Sequence, residues 1–309
     1  MVDLTAIILT KNEEKNIEKC IKSIRSVAKR IIVVDSYSDD DTIKIAANLG
    51  ADIYQNPFIN YATQFNWGLN HTGINTEWVL RIDADEEFTE ELCNEINERL
   101  PNINENITGM TINLRIVFMG KWLRHGGMYP WKLLRIFRFK AGFLENRNMD
   151  EHVALKYGEV GQFKSDFIHH DFKDLNYWTH KHNWYSNREV KDYFEHHELP
   201  EQSMKNKWAM NKRKMKNGVY YRLPKFFRAH MFFIYRYYLK LGFLDGTEGK
   251  IFHFLQAYWY RFLIDAKIHE CEITGKRYED QGALNSLRGG YTLSRFGGCH
   301  FKAVKAVAA

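Results

Sequence analysis

The chain has no stretch of about 18 or more uncharged apolar residues, so a helix that crosses a membrane is not expected. Cysteine is scarce. Cys20, Cys93, Cys271 and Cys299 lie far apart and form no C-x-x-C, which argues against a zinc site and a disulfide framework and favours a reducing, cytoplasmic setting. Met1 leads directly into a strand-like run, so no signal peptide is expected. There is no internal repeat, and no large excess of charge. Forty-four basic against 38 acidic residues give +6, a mild bias that suits an anionic ligand or an anionic membrane surface without requiring either.

What is there is apolar and aromatic. At 309 residues and 45% hydrophobic content the chain can bury a sizeable core, and its aromatics crowd the C-terminal half. Three apolar runs each end abruptly in polar residues. Leu4–Leu9 stops at Thr10, Ile31–Val34 at Asp35, and Trp78–Ile82 at Asp83-Ala84-Asp85. Short β-branched runs without polar alternation read as strands buried on both faces of a parallel sheet. In an open α/β sheet the ligand lies beyond the carboxyl ends of the strands, so these stops should meet on one edge.

Between the runs lie helical patterns. Ile17, Cys20, Ile21 and Ile24 make an apolar stripe in a helix expected over 12–27. Asp39-Asp40-Asp41-Thr42 opens a second helix that runs to Leu49 and stops at Gly50. A weaker strand (51–55), a helix over 62–71 and a helix from Thr89 to Leu100 complete a doubly wound order. Beyond Pro101, strands are expected over 110–118 and 133–139, flanking a loop (121–131) rich in Gly, Trp, His and Tyr. Strand-like alternation follows over 150–171, and helical periodicity returns near Tyr177. Two apolar-rich helices, 226–241 and 250–270, enclose the turn Gly242-Phe243-Leu244-Asp245-Gly246, and 289–309 look loosely ordered. Two regions are expected: 1–204, with a ligand half to about 100 and a second half to 204, and a basic, aromatic helical region over 205–309.

An Asp-x-Asp at a strand end can hold a hard cation, which needs only one or two carboxylates if waters and substrate phosphates supply the rest. Asp85, further from the strand, is the expected metal ligand, and Asp83 suits a ribose or a metal-bound water. Solvated acids at a strand end are the plainer reading. Asp35 offers acceptors for a ribose hydroxyl or a uracil N–H; capping the next helix is its structural alternative. Thr10 and Glu14 line the first strand–helix turn, where Glu14 also reads as a plain first-turn acid.

The run from Ala6 to Glu14, the segment from Val33 to Thr42, Gln64-Phe65-Asn66-Trp67 and Asp83-Ala84-Asp85-Glu86 together resemble family 2 glycosyltransferases. Gly126–Arg138 and Gly242–Gly246 resemble the subgroup of bacterial lipopolysaccharide-core glucosyltransferases. The likeness covers most of residues 4–270. It implies a GT-A fold, a mixed and mainly parallel α/β sheet with helices on both faces, to which the periodicity adds a C-terminal helical hairpin. It also implies a divalent cation (Mg or Mn), a nucleotide-sugar donor, expected to be a UDP-sugar, and inversion at the anomeric carbon. By the same likeness Thr10, Glu14 and Asp35 contact the nucleoside, and Asp83 and Asp85 the ribose, diphosphate and metal.

Asp150-Glu151-His152 falls where such enzymes carry the catalytic base. The family often shows Glu-Asp there; the reversed order leaves the base open between Asp150 and Glu151. His170, rather than its neighbour His169, matches the position that completes the metal shell. Arg135 and Arg138 share one strand face only across a bulge; Arg135 is placed with the donor diphosphate, with surface charge as the simpler account. Trp122, His125, Tyr129 and Trp131 read as a wall for a saccharide or glycolipid acceptor, with loop packing as the alternative.

The helix at 226–241 carries Arg228, Arg236 and Lys240 on a narrow stripe. With Lys205, Lys207, Lys212, Arg213, Lys214, Lys216, Arg222 and Lys225 upstream, it is expected to lie against an anionic membrane at the inner face of the cell membrane. A dimer interface or a lid on the catalytic region is the other reading, and self-association is left open. A sugar nucleotidylyltransferase shares the fold but needs a glycine-rich loop after the first strand, where this chain has Thr10-Lys11-Asn12-Glu13-Glu14. A nucleic-acid-binding module leaves the acids at three strand ends unexplained, so no nucleic-acid partner is expected.

Overall fold

The structure is a computed structural model that describes residues 1–145, 151–170, 174–195 and 218–278. The first strand, β1 (Val2–Thr10), is buried on both faces. Leu4, Ala6 and Ile8 pack with Ile17, Cys20, Ile21 and Ile24 of α1 (Ile17–Ile24). Ile7 faces the other way, toward Ala62, Phe65 and Leu69 of α3 (Tyr61–His71). The period-two alternation of a strand thus feeds two apolar cores, one on each side of the sheet.

Strands β2 (Ala28–Asp35), β3 (Asp52–Gln55) and β4 (Trp78–Asp83) join β1 in parallel, in the order β3-β2-β1-β4. A short α2 (Thr42–Asn48) connects β2 to β3. The register pairs Thr10 with Asp35, Asp35 with Gln55, and Leu9 with Asp83. The three polar stops therefore reach one edge of the sheet within a residue of each other.

The second half extends the same sheet. It is built from β5 (Glu86–Phe88), α4 (Glu90–Arg99), β6 (Ile107–Phe118), β7 (Lys121–Leu123), β8 (Trp131–Arg138), a separate hairpin of β9 (Gly142–Leu144) and β10 (Val153–Leu155), and β11 (Glu159–His170). The sheet order continues β4-β8-β6-β11-β5, with β8 antiparallel to both its neighbours and β11 parallel to β6. The result is a mixed, mainly parallel α/β sheet with helices on both faces and further helices at the C-terminus, as expected.

Three differences from the sequence reading are physical. Helix α1 starts at Ile17, not at Asn12. Asn12 has a left-handed φ of 57°, and the N–H groups of Asn12, Glu13 and Glu14 donate to Ser38, Thr42 and Asp40 side chains instead of opening a helix. Strand β5 was not anticipated. It is three residues long, too short for a periodic signal, yet it pairs antiparallel with the end of β11 and sets His169 opposite Glu86.

The third difference concerns the C-terminal helices: α5 (Leu175–Glu195), α6 (Phe227–Ile234), α7 (Gly246–His253) and α8 (Tyr260–Thr274). The hairpin around Gly242–Gly246 is present, but of the expected cationic stripe only Lys240 is exposed. Arg228 is 1% exposed and ion-paired with Asp265 of α8, and Arg236 donates from Nε to the Gly126 carbonyl at 2.7 Å. A buried guanidinium needs a partner of this kind to offset its lost hydration. Val190 of α5 packs with Tyr260, Ile264, Ile268 and Cys271 of α8. The expected boundary at 204/205, the lysines of 205–216 and the segment 289–309 lie outside the described residues. Among the described residues no helix is long and apolar enough to cross a membrane. Cys20, Cys93 and Cys271 are buried free thiols.

Candidate active site

Asp35 is fully buried at the end of β2. Its carboxylate accepts from Thr10 Oγ1 at 2.9 Å, from Ser38 N at 2.8 Å, from Ser38 Oγ, and from Gln55 Nε2 at 3.5 Å. It is the knot of the β2–α2 loop and does not cap α2. Glu14 is exposed, with Oε2 accepting from Asp41 N at 3.3 Å. Gln64, also fully buried, donates to Ser36 Oγ and to the Asn56 carbonyl.

The end of β4 gathers charge. Asp83 accepts from Arg135 Nη2 at 3.2 Å and lies 3.8 Å from Arg81 Nη2. Burial alone would raise its pKa, but Arg135 and Arg81 prevail and lower it. Glu86 is buried beneath; it pairs with Arg135 and accepts from Asp83 N at 2.9 Å. Burial, with Asp83 and Asp85 nearby, pushes its pKa up to about 7 even against Arg135. Arg135 is therefore not surface charge. It is 5% exposed, its Nη2 is shared by Asp83 and Glu86, and its guanidinium lies 5.3 Å from the Phe167 ring. It positions the carboxylates above it.

Glu151 belongs to this cluster. Its Oε1 is 3.5 Å from Arg81 Nη2, and burial raises its pKa despite that arginine. Asp150 lies outside the described residues. The facing ends of β9 and β10 are tied together and to α3. Asn66 of α3 donates to the Leu144 carbonyl at 2.7 Å and accepts from Leu144 N at 2.9 Å, and Glu145 accepts from His152 N at 3.0 Å.

His169, not His170, is the imidazole at Asp85. His169 Nε2 is 3.1 Å from Asp85 Oδ2, whereas His170 Nε2 is 3.0 Å from Glu87 Oε2. Successive residues of a strand point to opposite sides, so only one of the pair can face Asp85; the pairing of β11 with β5 decides which. Burial opposes ionisation of Asp85, but His169 and Lys181 outweigh it and hold the carboxyl well below its usual range. Lys181 comes from α5 with Nζ 3.8 Å from Asp85 Oδ2. Tyr185 foremost, and then Asp85, raise its pKa against the effect of burial.

These groups open onto a cavity of about 230 Å³, lined among others by Asp85, His169, Trp131, Trp178, Lys181 and Tyr185. Of the four expected acceptor-wall residues only Trp131 lines it. Trp122 and Tyr129 meet edge to face at 5.3 Å, and the Tyr129 hydroxyl donates to Asp166 at 3.1 Å. His125 pairs with Asp245 of the C-terminal hairpin at 2.7 Å. Gly126, at φ +67°, faces His253, whose ring a Cβ would overlap; a Cβ on Gly242 would come within 2.6 Å of the same ring. These loop residues join the hairpin to the sheet. The aromatic and cationic lining from α5 was not singled out in the sequence, although Tyr177, Lys181 and Tyr185 stand four apart, on one helix face.

The sequence model of Glycosyl transferase family 2 matches residues 5–164, half of the chain, and the chain belongs to that family. It is 29% identical over 285 residues to an uncharacterised glycosyltransferase of Rickettsia typhi, covering 89% of this chain and 90% of that one. It is 26% identical over 175 residues to the lipopolysaccharide core biosynthesis glycosyltransferase LpsC of Rhizobium meliloti, covering 54% of this chain and 62% of LpsC. Among solved structures, a mannosyltransferase of Pyrobaculum calidifontis in complex with GDP-Man and Mn2+ aligns with a TM-score of 0.47 and 13% identity, over 86% of this chain and 87% of that one.

Proposed function

We propose that the protein is an inverting transferase that moves a sugar from a nucleotide donor, a UDP-sugar, to a hydroxyl of a lipid-linked saccharide or lipopolysaccharide-core acceptor. The observation that carries this reading is the convergence of Thr10, Asp35, Asp83 and Asp85 on one sheet edge, with His169 against Asp85. Thr10, Glu14 and Asp35 hold the nucleoside in this reading, and Asp83 the ribose. The likeness to LpsC supports the acceptor class.

The donor set at Asp85 suits a divalent cation shared with substrate. One carboxylate and one imidazole stand together, and among the described residues no group of three or more His, Cys, Asp or Glu forms a complete ligand shell. A hard cation bound by few protein ligands takes its remaining positions from phosphate oxygens and water. Bound there, it would neutralise charge on the diphosphate. In the transfer the acceptor oxygen attacks the anomeric carbon as the bond to the diphosphate breaks, and that bond's electrons leave with the diphosphate. The acceptor proton passes to a carboxylate, Asp150 or Glu151. Burial raises the pKa of Glu151, which makes its carboxylate a stronger proton acceptor than an ordinary one.

The acceptor class also accounts for the outer face of the hairpin. Phe227, Met231, Tyr235 and Tyr238 recur along one face of α6 and its continuation. Leu239, Phe243 and Leu244 crowd the tip, and Phe254 and Phe262 follow on the return; all are exposed, Leu239 by 71%. Exposed apolar surface of this extent marks a contact site. Lys240 and Lys250 are exposed beside it, which suits an anionic lipid surface at the inner face of the cell membrane.

A thermal-shift screen of nucleotide sugars, with and without Mn2+, tests the donor. The cognate donor raises the melting temperature of the wild type in the presence of the cation. Asp85→Ala should abolish the cation-dependent part of the shift and turnover. Full turnover in chelator would exclude the cation role.

A further inference from the structure

Lys181 is held in place by its neighbours. Tyr177 and Tyr185, four residues before and after it on α5, set their rings 5.9 Å and 5.8 Å from its Nζ. A lysine side chain gives up considerable rotamer freedom when it is fixed, and the two flanking rings narrow the range it can sample. The ammonium lies 3.8 Å from Asp85 Oδ2, the oxygen that also meets His169. That is beyond hydrogen-bond range, so Asp85 attracts the charge without using its hydrogens.

The other cations at this end of the sheet are differently placed. Arg81 lies against Glu151 and Asp83, and Arg135 against Asp83 and Glu86. Each has two carboxylates of the protein within 3.8 Å, whereas Lys181 has Asp85 alone among the described residues. Lys181 faces the cavity that Asp85 and His169 also line. A compact ammonium with rotatable donors is a phosphate-binding group.

Resting on the donor reading above, we propose that Lys181 binds the diphosphate of the donor, donating to a phosphate oxygen from the side of α5. There it neutralises the negative charge that accumulates as the bond from the anomeric carbon to the diphosphate oxygen breaks and its electron pair stays with the leaving group. The interaction strengthens as that charge grows, so it acts on the rate and not only on binding.

The test is calorimetric titration of the full chain with UDP and GDP in Mn2+, and with uridine and guanosine as controls. For whichever diphosphate binds, Lys181→Met should weaken affinity by about tenfold or more, the scale of one charge-assisted hydrogen bond. Binding of the matching nucleoside should stay within about twofold, and Lys181→Arg should restore most of the loss. With the cognate donor, kcat should fall more than KM rises. If the Met variant melts well below the wild type, Lys181→Gln takes its place. Unchanged diphosphate affinity, or equal loss of diphosphate and nucleoside binding, overturns the assignment. A wild type that binds neither diphosphate overturns the donor reading itself, and this inference with it.

Discussion

Asp245 grips His125 at two points: one carboxylate oxygen accepts the backbone N–H at 2.9 Å and the other meets Nδ1 at 2.7 Å. The pair joins the turn of the C-terminal hairpin to the loop between β7 and β8. Lys121–Glu248 at 3.5 Å, Gly126 N to the Lys240 carbonyl at 2.8 Å, and Arg236 to the Gly126 carbonyl lie alongside. Asp245→Ala removes both bonds from a buried position. It should cost about 1–3 kcal/mol, read as a lower urea midpoint with unchanged slope. An unchanged midpoint would mean that the hairpin is held by its apolar contacts alone.

Arg135 beneath Asp83 and Glu86 makes a different prediction. Arg135→Met leaves two carboxylates without their buried guanidinium. Removing one partner of a buried ion pair costs roughly 3–5 kcal/mol, so the variant should be among the least stable single changes at the site. Urea unfolding checks this. Stability within about 1 kcal/mol of the wild type, the scale of an exposed pair, would show that Arg135 contributes no more than a surface residue.

The base is separable by near-isosteric changes. Asp150→Asn and Glu151→Gln keep size and lose the proton acceptor. The true base variant should lose transfer by at least about 10²-fold and keep its nucleotide affinity in calorimetry. Normal transfer by both variants places the base elsewhere.

His253 should make the protein acid-sensitive. It is fully buried, neither ring nitrogen has a hydrogen-bond partner among the described residues, and burial, with Arg236 adding to it, holds its pKa at about 4 against an ordinary 6.5. Asp245 pulls the other way without reversing the shift. Between these values the unfolded chain binds a proton that the folded chain refuses. Unfolding free energy therefore falls as pH drops from 6.5 toward 4. His182, also held at about 4, adds a loss of the same sign. His253→Gln should lose less stability than the wild type over that descent. Parallel pH profiles for the two proteins would rule His253 out as the cause.

Lipid contact is tested on the outer face of the hairpin, because Arg228 and Arg236 are not available to headgroups. The protein should co-sediment with vesicles containing anionic lipid, less so as salt rises. Replacing Phe227, Met231, Tyr238 and Phe254 by serine should release it without lowering the melting temperature. A wild type that ignores vesicles at low salt and forms a dimer would assign the face to a second copy of the chain.

Much of this architecture was legible in the sequence because it rests on strong local signals. The apolar runs before Thr10, Asp35 and Asp83 are buried on both faces, and such strands show no other pattern. What could not be read depends on partners distant in sequence. His169 and His170 are equivalent until the pairing of β5 with β11 gives one of them to Asp85. Arg135 looks like any strand arginine until Asp83 and Glu86 fold over it. Arg228 and Arg236 look like an exposed stripe because their acceptors, Asp265 and Gly126, lie 37 and 110 residues away. The helix that brings Lys181 shows its aromatic face in the sequence but not which cavity that face meets.

The seat of His253 between Gly126 and Gly242 binds the history of two distant segments together. A Cβ on either glycine would strike that ring, but Gly126 also holds a φ of +67° and a Cβ on Gly242 would come within 2.9 Å of the Arg236 carbonyl oxygen, so a smaller residue at 253 would free neither. Across descendants of this chain both glycines should persist whatever stands at 253, and a hybrid that puts a side chain at either should fail to seat the hairpin on the 121–131 loop.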